Sequence, residues 1–250
     1  MKVLVASPFA NDNSTLGYTA TVAWLSQLLA ERGVPFDYYP AISGDVVLNR
    51  NVIAHRFLSD PDATHLIMLD SDMQVEKSVF AHFLAQDHEF MGAVYARRKI
   101  DLARFHAEAQ AGKDVGTAKA LASDFIVHFP STRVAFENHF TPVTGIGLGC
   151  VMIARRVFQS ILDAGLAPQT PDKAAHQFGI GNQYHDFFRT IRHEDGSMTS
   201  EDYAFCQRAT QSGTVQIMGY IGPGVHHTGQ FQYSTAYDLV LRDLMKPQDT

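Results

Sequence analysis

Residues 66–73 read LIMLDSDM, an apolar run that ends in two carboxylates one residue apart, Asp70 and Asp72. Such a continuous apolar run is typical of a strand that is buried on both faces, as in a parallel sheet covered by helices. In an extended chain, residues two apart point to the same side. The stretch therefore predicts a buried strand with two acids facing one side, just beyond its carboxyl end.

The first half of the chain alternates between strand and helix patterns. Short apolar strands are predicted at 3–6, 36–39, 65–69 and 90–95, with prolines ending the first two, and helical apolar spacing lies between them. This alternation favours an α/β fold in which helices cover both faces of a parallel sheet. In the second half, a strand entered through glycines is expected at 145–154, and helices at 101–122, 155–164 and 199–211.

Composition limits the class of protein. The chain has 250 residues, 46% of them hydrophobic, and a formal net charge of −6, which argues against general nucleic-acid binding. The N-terminal apolar run is too short for a signal peptide, and no segment has the length of a membrane span. Cys150 and Cys206 are expected to be buried free thiols. We therefore expect a soluble, cytoplasmic protein.

The chemistry of the two acids suggests a metal. Neighbouring carboxylates repel each other unless a cation lies beside them, and oxygen ligands suit Mg²⁺ or Mn²⁺ when phosphate completes the shell. The carboxyl ends of strands in open α/β sheets are also where ligands bind. The alternative is a solvated turn in which Asp70 or Asp72 caps the following helix.

Three further segments carry candidate site residues. Glu201 and Asp202 open a helix, where they also serve as ordinary capping and dipole-compensating acids. The pair His226 and His227 follows a glycine-rich turn and can reach a metal, although single histidines are usually structural. Residues 49–51 (Asn-Arg-Asn) are predicted at a helix start, either contacting phosphate or base or simply solvated.

In this order and spacing, the motifs resemble the GT-A-fold glycosyltransferases, the family-2-like enzymes that use nucleotide sugars. The matching pieces are VLVAS at 3–7, Arg50-Asn51, LDSD at 69–72, GIGLGCVMIARRVF at 145–158, SEDYAFCQRA at 200–209 and His-Thr-Gly at 227–229. The resemblance implies one Rossmann-like domain over 1–232, with a mostly parallel sheet and a small antiparallel portion in the second half. Residues 233–250 form an extension without an assigned role.

The resemblance also implies roles for single residues. A Mn²⁺ or Mg²⁺ ion would be bound by Asp72, His227 and Asp70, with His226 as the alternative to His227. Asp202 would be the catalytic base of an inverting transfer, and Glu201 would place a substrate. The residues expected to bind the nucleotide-sugar donor are Pro8, Arg50, Asn51, Asp70, Asp72 and Arg97, with Arg98 beside them; Arg97 and Arg98 are equally well read as a solvated strand end.

Two other classes compete with this reading. A nucleotidyltransferase would carry a glycine-rich, basic phosphate loop after the first strand, but the loop at 7–12 (SPFAND) has neither a glycine nor a base. A non-catalytic carbohydrate-binding protein would not need Asp72, Asp202 and His227 together. The acceptor stays open between a glycan, a lipid-linked sugar, a protein and a modified nucleic-acid base. The segment 167–183, rich in glycine and proline, is expected to be a lid that closes over the donor.

Overall fold

A central seven-stranded sheet organises the chain, in the order β2-β1-β3-β11-β5-β16-β9. The computed structural model describes residues 1–131, 135–181, 183–213, 215–229, 232–234 and 236–245. The strands are β1 (Val3–Phe9), β2 (Phe36–Ile42), β3 (His65–Leu69), β4 (Met73–Val75), β5 (Phe90–Ala93), β6 (Ala96–Ile100), β7 (Ser123–Phe125), β8 (Val127–His128), β9 (Phe140–Val143), β10 (Gly145–Ile146), β11 (Cys150–Ala154), β12 (Gln169–Pro171), β13 (Gln183–His185), β14 (Ile191–Arg192), β15 (Met198–Thr199), β16 (Ile217–Tyr220), β17 (Val225–Thr228) and β18 (Gln232–Ser234). The helices are α1 (Leu16–Glu31), α2 (Val46–Ser59), α3 (Lys77–Phe83), α4 (Leu102–Gln110), α5 (Val115–Leu121), α6 (Arg155–Asp163), α7 (Glu201–Gln211) and α8 (Tyr237–Leu244), with a 3₁₀ helix at Lys173–Phe178.

The strand directions confirm the predicted α/β class and its mixed sheet. Strands β2, β1, β3, β5 and β16 run the same way, whereas β11 and β9 run against them. Both antiparallel strands come from the second half of the chain. The sheet is therefore mostly parallel, with its antiparallel portion where it was expected.

Strand β3 is buried on both faces, as its apolar run predicts. Leu66 and Met68 pack in the core cluster that holds α2, α6 and α7. Ile67 and Leu69 pack in the opposite cluster, with α1 and α3. Because successive side chains of a strand point to opposite faces, an all-apolar run is needed to fill two cores at once.

Prolines do not end the first two strands, contrary to expectation. Strand β1 continues through Pro8, and β2 through Pro40. β2 is an edge strand, and β1 pairs with β3 only as far as Ala6, so neither proline removes a hydrogen bond from a doubly paired stretch. These extra residues lengthen the carboxyl ends of both strands toward the loops beyond them.

Other predicted bounds were too long. The strand from residue 90 ends at Ala93, and the predicted helix at 101–122 is divided into α4 and α5 around Gly112, which has a φ of 83°. The predicted strand at 145–154 is interrupted between β10 and β11. There the backbone N–H of Gly149 donates to the Tyr95 hydroxyl at 3.1 Å, a close approach that requires a residue without a side chain.

The segment 167–183 contains β12, the 3₁₀ helix and the start of β13, although Asn182 lies outside the described residues.

Within the predicted extension, α8 packs on the domain. The ring of Tyr237 contacts that of Phe125, and the Asp238 N–H donates to Ile221 O at 3.0 Å. Positions 235 and 246–250 of the predicted extension lie outside the described residues. In the described part of the chain, no helix has the length and apolar character needed to cross a membrane.

Candidate functional site

The carboxyl ends of β1, β2 and β3 border a cleft of about 280 Å³. This is the edge at which open α/β sheets bind ligands. Of the residues predicted to bind the donor, Pro8, Asp70 and Asp72 line the cleft, and so does Arg98. The lining residues are Pro8, Phe9, Ala10, Ser43, Gly44, Val46, Asn49, Asp70, Ser71, Asp72 and Arg98.

Backbone hydrogen bonds hold the Asp70–Asp72 turn in place. The Asp70 N–H donates to Gly149 O at 2.9 Å, and the Thr228 N–H donates to Asp72 O at 2.8 Å. The Thr15 N–H donates to Ser71 O at 3.2 Å. Residues 70–72 thus leave the extended conformation assumed from the sequence, but both carboxylates still line one cleft.

Asp72 and His227 form the closest acid–imidazole pair at the cleft. His227 Nε2 lies 3.3 Å from Asp72 Oδ2, and Arg98 Nη1 lies 3.0 Å from the same oxygen. Burial by itself raises the pKa of Asp72, but the hydrogen bond to His227 and the charges of His227 and Arg98 bring the pKa below its usual value. Asp72 is therefore a carboxylate at neutral pH and can act as a ligand.

The tautomer of His227 fits a metal ligand. Its Nδ1 lies 3.0 Å from Ala96 O, and a carbonyl oxygen can only accept, so Nδ1 carries the proton. Nε2 faces Asp72, so a divalent cation lying between the two side chains would replace their hydrogen bond and take the Nε2 lone pair. A backbone carbonyl that orients a histidine in this way is the usual outer partner of a metal-binding imidazole. Asp72 and His227 are therefore suited to hold one divalent cation between them.

The other proposed ligands are placed differently. His226 and His227 point to opposite sides of β17, and His226 Nε2 lies 3.8 Å from Glu76 Oε1, not beside Asp72. Asp70 is bound to Arg50. Within the described ranges, no three His, Cys, Asp or Glu side chains group as a metal site. A cation held by Asp72 and His227 would need further ligands from a bound molecule.

Arg50 joins the two halves of the site from a buried position. Its side chain is only 2% exposed, and Nη2 donates to both oxygens of Asp70 at 3.3 Å. Nη1 donates to Glu201 Oε1 at 3.0 Å and also to Asp202 Oδ1. Burial opposes its charge, yet the carboxylates of Asp202, Asp70 and Glu201 keep its pKa above the usual value. Arg50 contacts these carboxylates, not the open cleft.

The site is rich in negative charge. Among the described residues, the carboxylates of Asp70, Asp72, Glu201 and Asp202 are paired with only two guanidinium groups, those of Arg50 and Arg98. Burial raises the pKa of Asp70 to about 6, and the negative charges of Asp202 and Asp72 add to this rise. The positive charge of Arg50 acts in the opposite direction. An added cation would relieve this repulsion.

The two residues beside Arg50 have different partners. Asn51 is buried, donates from Nδ2 to Asp186 Oδ1 at 2.7 Å and accepts from the Phe188 N–H at 3.1 Å, so it links α2 to a neighbouring loop. Asn49 donates from Nδ2 to Phe9 O at 2.9 Å and to Ser43 O at 3.1 Å. Asn49 therefore holds two segments of the cleft wall together. The sequence indicated a role for this residue only as part of the Asn-Arg-Asn cluster. The predicted helix start is wrong for residues 49–51, because α2 begins earlier, behind its N-cap Asp45. The solvated alternative is also wrong, because all three side chains are buried.

Arg97 does not line this cleft. It borders a second cavity of about 520 Å³ at the start of α7, next in sequence to Glu201 and Asp202. There the rings of Tyr203 and His128 stack at 4.2 Å with an interplanar angle of 4°. The lining residues are Arg97, His128, Thr144, Met198, Thr199, Ser200, Tyr203, Gln207 and Thr210. This cavity could not be foreseen from the sequence, because its walls come from four separate segments.

Several solved structures are similar to this chain at low identity. A197 from STIV has a TM-score of 0.46 at 14% identity, covering 92% of this chain and 86% of that one. A mutant of Drosophila β1,4-galactosyltransferase 7, in complex with manganese, UDP-Gal and xylobiose, has a TM-score of 0.42 at 14% identity and covers 88% and 64%. A glycosyltransferase involved in glycosylation of the major capsid of PBCV-1 has a TM-score of 0.32 at 11% identity and covers 64% and 62%. Glycosyltransferases, the class named from the motifs, are thus among these structures.

No protein-family model matches the chain. No curated protein matches it either.

Proposed function

We propose that this protein is a metal-dependent glycosyltransferase that moves a sugar from a nucleotide-sugar donor to an acceptor hydroxyl. The observation that carries the proposal is the Asp72–His227 pair, with His227 oriented by Ala96 O, at a cleft formed by the carboxyl ends of parallel strands. Two protein ligands leave room for phosphate oxygens in the shell of Mn²⁺ or Mg²⁺. A donor diphosphate would supply those oxygens.

In this proposal the donor nucleotide lies in the cleft beside Asp72. Backbone and side-chain polar groups of Ser43 and Asn49 border it, and Pro8 forms part of its wall. The bound ion would neutralise the diphosphate as it leaves the sugar. Arg98, already 3.0 Å from Asp72, is a second positive group within reach of the diphosphate. In this proposal Arg98, not Arg97, contacts the donor.

Asp202 is proposed as the base that takes the proton from the acceptor hydroxyl. Asp202 lies in the first turn of α7 and is bound to Arg50. Glu201, bound to the same guanidinium, would hold the neighbouring substrate groups. The second cavity is bordered by Ser200 and Tyr203, the neighbours of this acidic pair, so in this proposal the acceptor lies beside the first turn of α7. The proposed transfer inverts the anomeric centre.

The polarity of the second cavity suits a carbohydrate-like acceptor. Hydroxyl and amide groups come from Thr144, Ser200, Gln207 and Thr210, and the stacked rings of His128 and Tyr203 offer flat surface. A few placed polar groups beside an aromatic surface are the usual elements of a small-molecule site.

The test is a panel of sugar nucleotides with Mn²⁺ or Mg²⁺, scored by release of nucleoside diphosphate. We expect one donor to be hydrolysed slowly without acceptor, and Asp72→Asn to abolish the reaction. Asp124→Asn changes an exposed acid on β7 and serves as the matched control. Full activity in excess chelator would contradict the proposal.

The same panel separates the competing classes. Release of pyrophosphate from nucleoside triphosphates, with no nucleoside diphosphate from any sugar nucleotide, would indicate a nucleotidyltransferase. Saturable binding of carbohydrate without turnover of any donor would indicate a non-catalytic binding protein.

A further inference from the structure

Three arginines border a cavity of about 390 Å³ that is separate from the two described above. Arg208 comes from the last turns of α7, and Arg189 and Arg192 come from the chain that leads into and forms β14. Thr190 and Gln211 add neutral polar groups to the same wall. Positive charge is therefore concentrated in one concave place on a chain whose net charge is negative.

In the described part of the chain, Arg208 is a buried cation without a carboxylate partner. It is 3% exposed, and its Nη1 donates to Phe187 O at 3.0 Å. Throughout the described ranges, no ion pair joins Arg189, Arg192 or Arg208 to an acid. Burial lowers the pKa of Arg208 to about 10, with Arg189 adding to the effect and Asp186 opposing it. Burying an unpaired charge is costly, so an anion at this place would be stabilised.

A comparison with Arg155 shows that Arg208 is not simply saturated by the backbone. Arg155 donates to four carbonyl oxygens, those of Ala63, Leu58, Phe57 and Asp60. Arg208 makes one such bond among the described residues and borders a cavity. Its guanidinium therefore keeps donors for a ligand.

We infer that Arg189, Arg192 and Arg208 form a binding site for the phosphate group of a small soluble phosphate ester. The planar guanidinium matches the oxygens of a phosphate, and bonds between two charged groups are the stronger kind. The cavity volume of about 390 Å³ is large enough for a phosphate together with part of the molecule that carries it.

The phosphate site lies at a distance from the proposed chemistry. Arg208 follows Asp202 by six positions on α7, about 9 Å along the helix axis. The Asp72–His227 pair belongs to a different cleft. The site is thus distinct from the place of the donor diphosphate, and it exists whether or not the chain transfers sugars.

The experiment measures binding of inorganic phosphate and of glycerol phosphate to the full chain by NMR, without divalent metal and at constant ionic strength. We expect saturable binding with shifts at 165–166, 189–192 and 208–211. Arg189 and Arg192 are exposed, so Arg189→Gln and Arg192→Gln keep the fold, and each weakens binding about tenfold through a lost charge-assisted bond. The matched control is Arg32→Gln, an exposed arginine after α1, which leaves the affinity unchanged.

Three results would overturn the inference. One is the absence of saturable binding by either phosphate compound. Another is equal binding by the wild type and both variants. The last is binding only of a single-stranded oligonucleotide or of vesicles containing phosphatidic acid, since that would make the cluster a polyanion surface and not a discrete phosphate site.

Discussion

The guanidinium of Arg50 is bound to the carboxylate of Asp202 across 152 residues of sequence. The same group holds Asp70, at the end of the central strand. The first turn of α7 is therefore positioned against the carboxyl end of β3 by one buried cation. This bond fixes the distance between the proposed donor cleft and the proposed base.

The first prediction concerns the stability contributed by Arg50. Arg50→Met leaves three acids facing one another without their cation, so we expect a loss on the order of 3 kcal/mol in the free energy of unfolding. Urea denaturation followed by circular dichroism measures it. Arg56→Met, an exposed position on the same helix, is the control. An equal effect of both changes would show that Arg50 is not the organising charge.

The second prediction separates the two histidines. His227→Gln removes the imidazole lone pair beside Asp72, and we expect at least a tenfold loss of Mn²⁺ affinity in the presence of a nucleoside diphosphate. His226→Gln, on the other side of β17, should bind Mn²⁺ like the wild type. Electron paramagnetic resonance of free Mn²⁺ measures both. If His226→Gln lost Mn²⁺ affinity and His227→Gln did not, His226 would be the metal ligand.

The third prediction concerns Asp202 as base. Asp202→Asn retains an oxygen that can accept from Arg50 but removes the basicity, so we expect turnover to fall by roughly 10²- to 10⁴-fold, with donor binding nearly unchanged. Steady-state kinetics and donor titration measure the two quantities, with Asp195→Asn in an exposed turn as control. Near-normal turnover, or a product that keeps the anomeric configuration of the donor, would contradict the role.

The fourth prediction concerns the glycine-rich passage before β11. A Cβ at residue 149 would come within 2.8 Å of the Tyr95 ring, so Gly149→Ala must displace a buried side chain. We expect a loss of about 1–3 kcal/mol in the free energy of unfolding. Gly44→Ala, where a Cβ meets nothing within 4 Å, should be nearly neutral. Thermal denaturation compares the two variants, and equal melting temperatures would refute the packing explanation.

The fifth prediction is a pH dependence at the other end of β3. Burial lowers the pKa of His65 from 6.5, helped by the N-terminus and Arg156 and opposed by Asp87. As the pH falls below about 6.5, His65 is protonated more readily in the unfolded chain than in the folded one. His65 therefore lowers the free energy of unfolding as the pH falls. His65→Gln should flatten the decline of unfolding free energy below about pH 6.5. An unchanged pH profile would show that His65 is not its source.

The sequence by itself determined the central strand and the acids at its end. LIML fills two cores at once, so its apolar run could be read without knowing its neighbours, and the buried helix faces followed from spacing in the same way. The cleft residues Asp70 and Asp72 were found because two like charges after such a strand are costly without a partner.

Only the tertiary structure decided what those acids meet. The sequence left Arg50 open between a contact with the donor and a solvated helix start, because nothing local shows that Glu201 and Asp202 lie against it. Which arginine enters which cavity depends on the direction in which each side chain leaves β6, and the choice between His226 and His227 depends on the pairing of β17 with β4. Local pattern determines burial and element type, whereas the partner of a charge is set by contacts between segments far apart in the chain.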